Sequence, residues 1–477
     1  MKKMSGYVSK QQVFKEYFDS IAGKKKTIKS YYWKSISRHC DYFIHEDDKV
    51  LEIGSGTGDL LGYAKAKYKV GIDFSEKMLE VSRVNYPDID FRYGTAENLD
   101  LGEKFDVVIL SNIVGCLDDI QSVFNELHKV CHPRTRVIVT YYSYLWEPVI
   151  KFGETIGFKK KMPIQNWLSY HDIINLLYLA GFDTYKMQRR MLLPYNIPIL
   201  SFILNKYVAR LPFFNIFGLN QFIFARPISD PEEDVSEKFS TTVVIPARNE
   251  SGNIENAITR LPKFGKHVEI IFIEGNSTDD TWETILRIQE KYKDTHDIKT
   301  GQQTGKGKGD AVRMGYDMAT GDILMILDAD LTVPPEDIPK FYEALSRGKG
   351  EFINGARLVY PMENNAMRFL NTLGNKFFSM AFSWLLEQPI KDSLCGTKVM
   401  FREDYVKLIG NRKFFGEFDP FGDFDLLFGA YKLNLKIIDL PIRYQERVYG
   451  DTNISRFKHG VILLRMCMYA AGKIKFW

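Results

Sequence analysis

Asp328-Ala329-Asp330 sets two carboxylates one residue apart at the end of an apolar run, Ile323–Asp328. Such a pair can hold a hard divalent cation, Mg2+ or Mn2+, through oxygen. That ion would bridge a diphosphate and neutralise it as a leaving group. A second chemistry lies nearer the N-terminus. Val50–Leu61, VLEIGSGTGDLL, reads as a strand, a glycine-rich turn and a helix start. Gly54, Gly56 and Gly58 let the backbone turn tightly and approach a ligand. A dinucleotide fingerprint would continue as GxGxxG or GxGxxA, but Asp59 stands at the third position. Glu52, two residues before the first glycine, opposes a phosphate and suits a ligand with a cationic amino-acid end. Asp73 ends the next apolar run, where a carboxylate can accept from both hydroxyls of a ribose. Asp59 and Glu52 together disfavour an NAD-dependent oxidoreductase.

Two series of strands must position these groups. The first is Val50–Ile53, Val70–Ile72, Ile89–Tyr93, Asp106–Leu110 and Arg136–Tyr141, with helical stretches such as Ser75–Asn85 and Asp119–Val130 between them. This alternation predicts a mostly parallel sheet covered on both faces. The second is Thr241–Pro246, Val268–Ile273 and Ile323–Asp328. Between the series, Pro227–Lys238 has two prolines, an acid-rich patch and no apolar period, so it reads as a linker. The expected division is a first domain over 1–228, with its core at about 40–145 and an extension over 146–228. A linker at 229–239 and a second domain over 240–477 follow. A chain of 477 residues has length for more than one domain. Lys+Arg is 64 against Asp+Glu 60, so net charge gives no reason to expect a nucleic-acid partner. Cys40, Cys116, Cys131, Cys395 and Cys467 are scattered without a CxxC pair. That argues against a disulfide framework or cysteine zinc site and fits a reducing cytoplasm. No apolar window is long enough to predict a membrane span, and Met1–Phe14 lacks the apolar core of a signal peptide.

With the turn at Gly94-Thr95-Ala96-Glu97-Asn98 and the run Phe105–Asp119, the first series resembles the class I S-adenosylmethionine (SAM)-dependent methyltransferases. The resemblance covers about residues 40–145, with a looser tail through Leu179–Phe182. It implies that Glu52 and the glycines hold the methionine part, Asp73 the ribose and Thr95–Glu97 the adenine. The implied cofactor set is Glu52, Gly54, Ser55, Gly56, Gly58, Asp73, Phe74, Ala96, Glu97 and Asn112. Many relatives have Asp where Thr95 stands. Methyl transfer needs close in-line placement of the acceptor more than a dedicated base. An oxygen acceptor would still gain from one, and His128, His171, Tyr141 and Tyr142 qualify by chemistry alone.

The second series carries Thr241–Ile258 (TTVVIPARNESGNIENAI), then GKGKGDAVR from Gly305, then the Asp328–Asp330 pair, in that order. Together these resemble family 2 inverting glycosyltransferases with the nucleotide-sugar-binding GT-A fold, over about Thr241–Gly460. The fold class expected is therefore α/β in two domains, one Rossmann-like and one GT-A. The resemblance implies that Pro246, Arg248 and Glu250 meet the nucleotide. Glu274 stands where relatives usually have a base-binding Asp, and Gly275 replaces a second Asp. Lys308 and Arg313 approach the diphosphate and ribose, and Asp328 and Asp330 bind donor and metal, with Asp330 counted among the catalytic groups. Lys391–Asp404, KDSLCGTKVMFRED, looks like the acceptor-side segment of dolichyl-phosphate mannose synthase relatives. In Phe421–Ala430, Asp423 matches the family's base, although Gly422 stands where a preceding acid is usual.

The acceptor class decides what Asp423 does. A sugar hydroxyl must lose a proton and needs a base. A lipid phosphate is already ionised and needs cations, which Arg443, Arg447, Arg456 and Lys458 supply. No acid follows Asp451, and basic residues interleave there with GVILLRMCMYAAG. The stretch Thr184–Ser229 also lacks Asp and Glu while mixing Lys186, Arg189, Arg190, Lys206, Arg210 and Arg226 with phenylalanines. Such mixtures suit an anionic membrane surface, or else a core helix and a domain contact. The expectation is a cytoplasmic enzyme, peripheral at the inner face of the membrane. It uses SAM, Mg2+ or Mn2+, a UDP- or GDP-sugar and a polyprenyl-phosphate or glycolipid acceptor. The rivals are a transferase acting on a sugar hydroxyl and a non-catalytic membrane-surface module.

Overall fold

The computed structural model describes residues 9–23, 29–157, 160–229, 233–357, 369–410, 422–445, 447, 449 and 456–476. The chain divides into two compact units, Met1–Ile228 and Ser229–Trp477.

In the first unit seven strands form one sheet: β1 (Lys49–Ile53), β2 (Tyr68–Asp73), β3 (Asp90–Tyr93), β4 (Phe105–Ser111), β5 (Cys131–Tyr142), β6 (Phe182–Arg190) and β7 (Asn220–Pro227). Their order is β3-β2-β1-β4-β5-β7-β6. β1 to β5 are parallel, and β7 runs antiparallel to both neighbours. Val107–Leu110 and Val137–Val139 are wholly buried. A strand covered on both faces must be apolar at every position, which these runs satisfy. Helices start on side-chain caps: Ser75 accepts from Met78 N–H, and Asp119 from Ser122 N–H.

β6 and β7 correct the membrane reading for much of Thr184–Ser229. Lys186, Arg190 and Arg226 are buried, as are Phe222 and Phe224. Lys186 Nζ sits over the rings of Phe43 and Phe224 at 4.4 and 5.3 Å, and Arg226 over Tyr185 at 5.5 Å. The strands keep their cations by seating them on aromatic faces, so these charges are not available to lipid.

The second sheet comprises β8 (Ser240–Ala247), β9 (His267–Glu274), β10 (Asp297–Gln302), β11 (Ile323–Ile326), β12 (Phe352–Ala356), β13 (Lys398–Phe401) and β14 (Ile437–Pro441). Their order is β10-β9-β8-β11-β13-β12-β14. β13 is antiparallel to both neighbours, and the other pairings are parallel. β11 stops at Ile326, two residues before the predicted end, which leaves Asp328 and Asp330 on a loop. The stretch read as a linker is partly packed: Val235 is buried and its carbonyl accepts from Tyr342 Oη at 2.7 Å.

The helix Arg456–Ala470 packs with Phe369–Leu386. Leu463, Met466 and Ala470 are buried, while Val461, Leu464 and Met468 are exposed. Lys475 is not a lipid-facing cation, because its Nζ is buried on Glu387 and Trp384 O. Among the described residues no helix is long and apolar enough to cross a membrane. All five cysteines are free.

Candidate functional sites

The first site forms at the C-terminal ends of β1, β2 and β4. Gly54 N–H and Ser55 N–H donate to Ile72 O, pinning the loop after β1 against β2. Gly56 has φ +53°, and a Cβ there would meet nothing within 4 Å. Its left-handed backbone opens onto free space, as a ligand-facing turn requires. Gly58 serves packing instead, since a Cβ there would lie 2.6 Å from the Phe91 ring.

Glu52 is 2% exposed, and its Oε2 has no hydrogen-bond partner. Burial, reinforced by Asp59 and Asp73, pushes its carboxyl well above the usual range. Ser55 Oγ is likewise buried without a partner. Orphaned buried oxygens are costly, and an ammonium group would satisfy the carboxylate. The residues present therefore fit the amino-acid end of SAM. Asp73 Oδ2 accepts from Gly56 N–H at 2.8 Å and Oδ1 from Ser75 N–H at 2.8 Å. Burial raises its pKa to about 6 against the pull of those bonds.

Sequence reading missed the helix Lys10–Ile21, which reaches this site from the N-terminus. Ser75 Oγ donates to Asp19 at 2.5 Å, Phe18 meets Phe74 edge-on at 6.1 Å, and Gln11 Nε2 donates to Glu97 at 3.4 Å. The i, i+4 spacing of Phe14 and Phe18 was the available signal. Ala96 is buried beside Glu97 in a turn closed by a Thr95–Asn98 bridge.

Asn112, at φ +58° after β4, donates through Nδ2 to Tyr32 Oη at 3.0 Å. Asn220 Nδ2 donates to the same oxygen at 2.6 Å, and Tyr32 also hydrogen-bonds Tyr142. Tyr32 and Asn220 were also missed, since only the fold joins them to Asn112. Burial raises both tyrosine hydroxyls, so they stay protonated and can orient a ligand rather than act as bases. The other base candidates fall away. Tyr141 Oη is bonded to Asn166 O, His128 Nε2 to Ala180 O at 2.7 Å, and His171 is exposed on the helix Tyr170–Leu179.

The second site forms where β8 and β11 end. Lys308 Nζ pairs with Asp328 Oδ1 at 2.6 Å. Arg447 Nη2 pairs with Asp330 Oδ2 at 2.6 Å, and its Nη1 with Glu250 Oε1 at 3.1 Å. Thr332 N–H and Oγ1 donate to Asp330 Oδ1, fixing that carboxylate. Gly396 lies so close that a Cβ would collide with both Asp328 Oδ2 and Lys308 Nζ. This glycine of the LCGTK stretch was not singled out from sequence. Among the described residues no three His, Cys, Asp or Glu side chains form a metal-ligating group. The two carboxylates are hard oxygen donors that fit Mg2+ or Mn2+, which would complete its shell with diphosphate oxygens.

Glu250 is buried, accepts from Asn253 Nδ2 at 2.7 Å, and has its pKa raised to about 7 by burial against Asn253 and Arg447. Pro246 is half-buried in β8 and Arg248 is exposed just beyond it. Glu274 is buried with its oxygens accepting from Ser277 N–H and Gln302 Nε2. It is thereby tied into its own turn before any base arrives. Arg313 lies on the helix Lys308–Met318, 3.8 Å from Asp310.

Arg447 reaches the carboxylates because its segment folds back on the loop after β8. Tyr449 Oη hydrogen-bonds Ser251 Oγ at 3.0 Å, and Gln445 N–H donates to Thr332 O at 2.9 Å. Arg443 is exposed in the same segment. Asp392 of the acceptor-side stretch is locked in a bidentate pair with Arg357, at 2.6 and 2.8 Å. Asp423 opens the helix Asp423–Lys432. Gly422 before it has φ +75°, and a Cβ there would collide with Gly309 Cα. The missing acid at 422 thus has a steric reason. The side chains of Asp423, Arg456 and Lys458 lie outside the described residues.

Residues 44–186 match the family described as Methyltransferase domain, and residues 242–410 match Glycosyl transferase family 2. The first unit thus contains a methyltransferase-family domain and the second a family 2 glycosyltransferase domain. Over 223 residues it is 30% identical to the dolichol-phosphate mannosyltransferase of Pyrococcus furiosus, a match covering 45% of this chain and 58% of that protein. It is 34% identical over 113 residues to the undecaprenyl-phosphate 4-deoxy-4-formamido-L-arabinose transferase of Pectobacterium atrosepticum, covering 23% of this chain and 34% of that one. A solved SAM-dependent methyltransferase of Thermotoga maritima is 19% identical, with 46% of this chain and 99% of that chain covered and a TM-score of 0.36.

Proposed function

We propose that the second unit transfers a sugar, with inversion, from a UDP- or GDP-sugar to a polyprenyl phosphate, and that the first unit methylates a sugar or a glycan-lipid intermediate. The observation that carries the glycosyl reading is the convergence of Asp328, Asp330 and Glu250 with Lys308 and Arg447. A divalent ion, when bound, supplies charge neutralisation for the leaving diphosphate. Asp328 and Asp330 would hold that ion, and Lys308 and Arg447, which pair with those carboxylates, would face the diphosphate. Arg443, Arg456 and Lys458 draw in the ionised acceptor. The names of the relatives, both polyprenyl- or dolichol-phosphate transferases, support this acceptor. The exposed apolar face of Arg456–Ala470 supports peripheral membrane attachment of the unit.

In the first unit Glu52 and Ser55 bind the amino-acid end of SAM and Asp73 its ribose. Tyr142, held by Tyr32, orients the acceptor so that methyl transfer proceeds by placement. The test is Mn2+-dependent binding of UDP and GDP by calorimetry for the wild type, Asp328→Ala and Asp330→Ala. Loss of the metal-dependent component in both variants is expected. Its full retention would remove the metal role.

A further inference from the structure

The segment 191–219 joins β6 to β7 and is built inside out. Ser201 is buried, with Oγ accepting from Ile197 N–H at 2.8 Å and donating to Tyr195 O at 2.5 Å. Asn205 turns inward as well, accepting from Leu192 N–H and Leu193 N–H at 2.8 and 3.0 Å and donating to Leu193 O at 2.7 Å. The apolar side chains point the other way. Ile199 is 76% exposed, Phe213 67%, Phe202 55% and Phe217 50%. Ile199 also has φ +65°. A β-branched residue in the left-handed region is strained, and here no burial within the unit offsets that strain. An apolar surface of this extent marks a docking site.

Sheet register places the surface. Arg190 pairs with Asn220 and Asn220 with Tyr142, so the segment leaves and re-enters the sheet at the C-terminal end of β5. That is the edge carrying the Gly54–Gly58 loop, Asn112 and Tyr142. Trp146 Nε1 donates to Phe217 O at 2.9 Å and fastens the segment to the chain after β5.

Charge selects the occupant. From Thr184 to Ser229 there is no Asp or Glu in the sequence. The exposed segment carries one cation, the half-buried Lys206, whose Nζ lies over the rings of Phe202 and Tyr207, while Arg210 is buried. A protein partner is fixed in register by a polar rim bearing complementary charges of both signs. An acid-free aromatic surface with Lys206 at its margin suits anionic head groups over hydrocarbon, where no register is needed. We propose that the methyltransferase unit docks directly on an anionic bilayer through residues 195–217, which turns its acceptor edge towards lipid. Its relation to the acceptor rests on the methyltransferase reading; the docking itself does not.

The test uses the full chain in a Cys116→Ser background, with an environment-sensitive NBD label on Phe213→Cys or on Val84→Cys, an exposed control on the helix Glu76–Asn85. Phosphatidylcholine vesicles with and without phosphatidylglycerol are added. A blue shift and several-fold rise at 213 with the anionic vesicles, and none at 84, is the expected result. No change at 213 while the protein floats with the vesicles would overturn the proposal. So would a 213 label already blue-shifted without vesicles, which would show a second copy or other protein surface covering it. Calorimetric titration with SAM on both labelled proteins separates the two readings. SAM binding without the 213 shift sinks the docking claim alone, and the shift without SAM binding sinks the methyltransferase reading alone.

Discussion

Asp328 and Asp330 show how a site can be balanced before its ligand arrives. Each carboxylate is paired with one cation, Lys308 or Arg447, and in the proposed function a metal-bound diphosphate would replace these pairs. Asp328→Ala or Asp330→Ala is expected to lower metal-dependent donor turnover about 100-fold or more, read by nucleotide release. Asp423→Asn separates the acceptor classes. With a phosphate acceptor the rate is expected to change by less than about threefold, and with a hydroxyl acceptor to fall by 10²-fold or more, roughly what a general base contributes. Asp73 makes a pH prediction. Its pKa is raised from 3.8 to about 6 by burial, so the native state holds the proton more tightly than the unfolded chain. Stability from this group is present below pH 3.8 and lost as pH rises through about 6. In the proposed site the ribose hydroxyls would donate to the ionised Asp73 carboxylate, so SAM affinity is expected to run the opposite way. It is expected to fall below about pH 6, by at most about tenfold per pH unit, and Asp73→Asn should flatten that slope in calorimetry. The types and spacing of Glu52, Gly56, Asp73, Asp328 and Asp330 were legible in sequence. The partners Tyr32, Asn220 and Gly396 were not, because each meets its site through distant chain.

Elements divide in the same way. β1, β2, β4, β5, β8 and β9 were legible because buried parallel strands are continuous apolar runs bounded by turns. β6 and β7 were hidden by their cations, which cation–π seats make compatible with burial. β12, Phe352–Ala356, was missed because FINGA has no alternation and carries an Asn and a Gly. The helix Lys10–Ile21 reaches the candidate cofactor site from a stretch that sequence left outside the core domain. Phe18→Ala is expected to weaken SAM binding by about 1 kcal/mol, or about fivefold in Kd, through the lost edge-on contact with Phe74. An unchanged Kd would show that this helix does not cover the cofactor. Gly422→Ala tests the junction of two helices. Its φ of +75° and the collision with Gly309 are expected to cost about 1–3 kcal/mol and lower Tm by several degrees.

At the scale of the whole molecule, one chain holds two units with separate cores, each assigned one group-transfer chemistry in the proposed function. Each unit has its own buried apolar cluster, so residues 1–228 and 229–477 expressed apart are each expected to fold cooperatively. SAM should bind only the first and nucleotide only the second, by calorimetry. Glycosyl transfer to a lipid phosphate is tested most directly by a donor panel. The purified chain would be incubated with Mg2+ or Mn2+ and each of several UDP- and GDP-sugars, with and without polyprenyl phosphate, and the lipid followed by mass spectrometry. A new metal-dependent sugar-phosphate lipid with one donor is the predicted result. No lipid product with any donor, together with turnover only when a glycan hydroxyl acceptor is supplied, would contradict the account and make Asp423 the catalytic base.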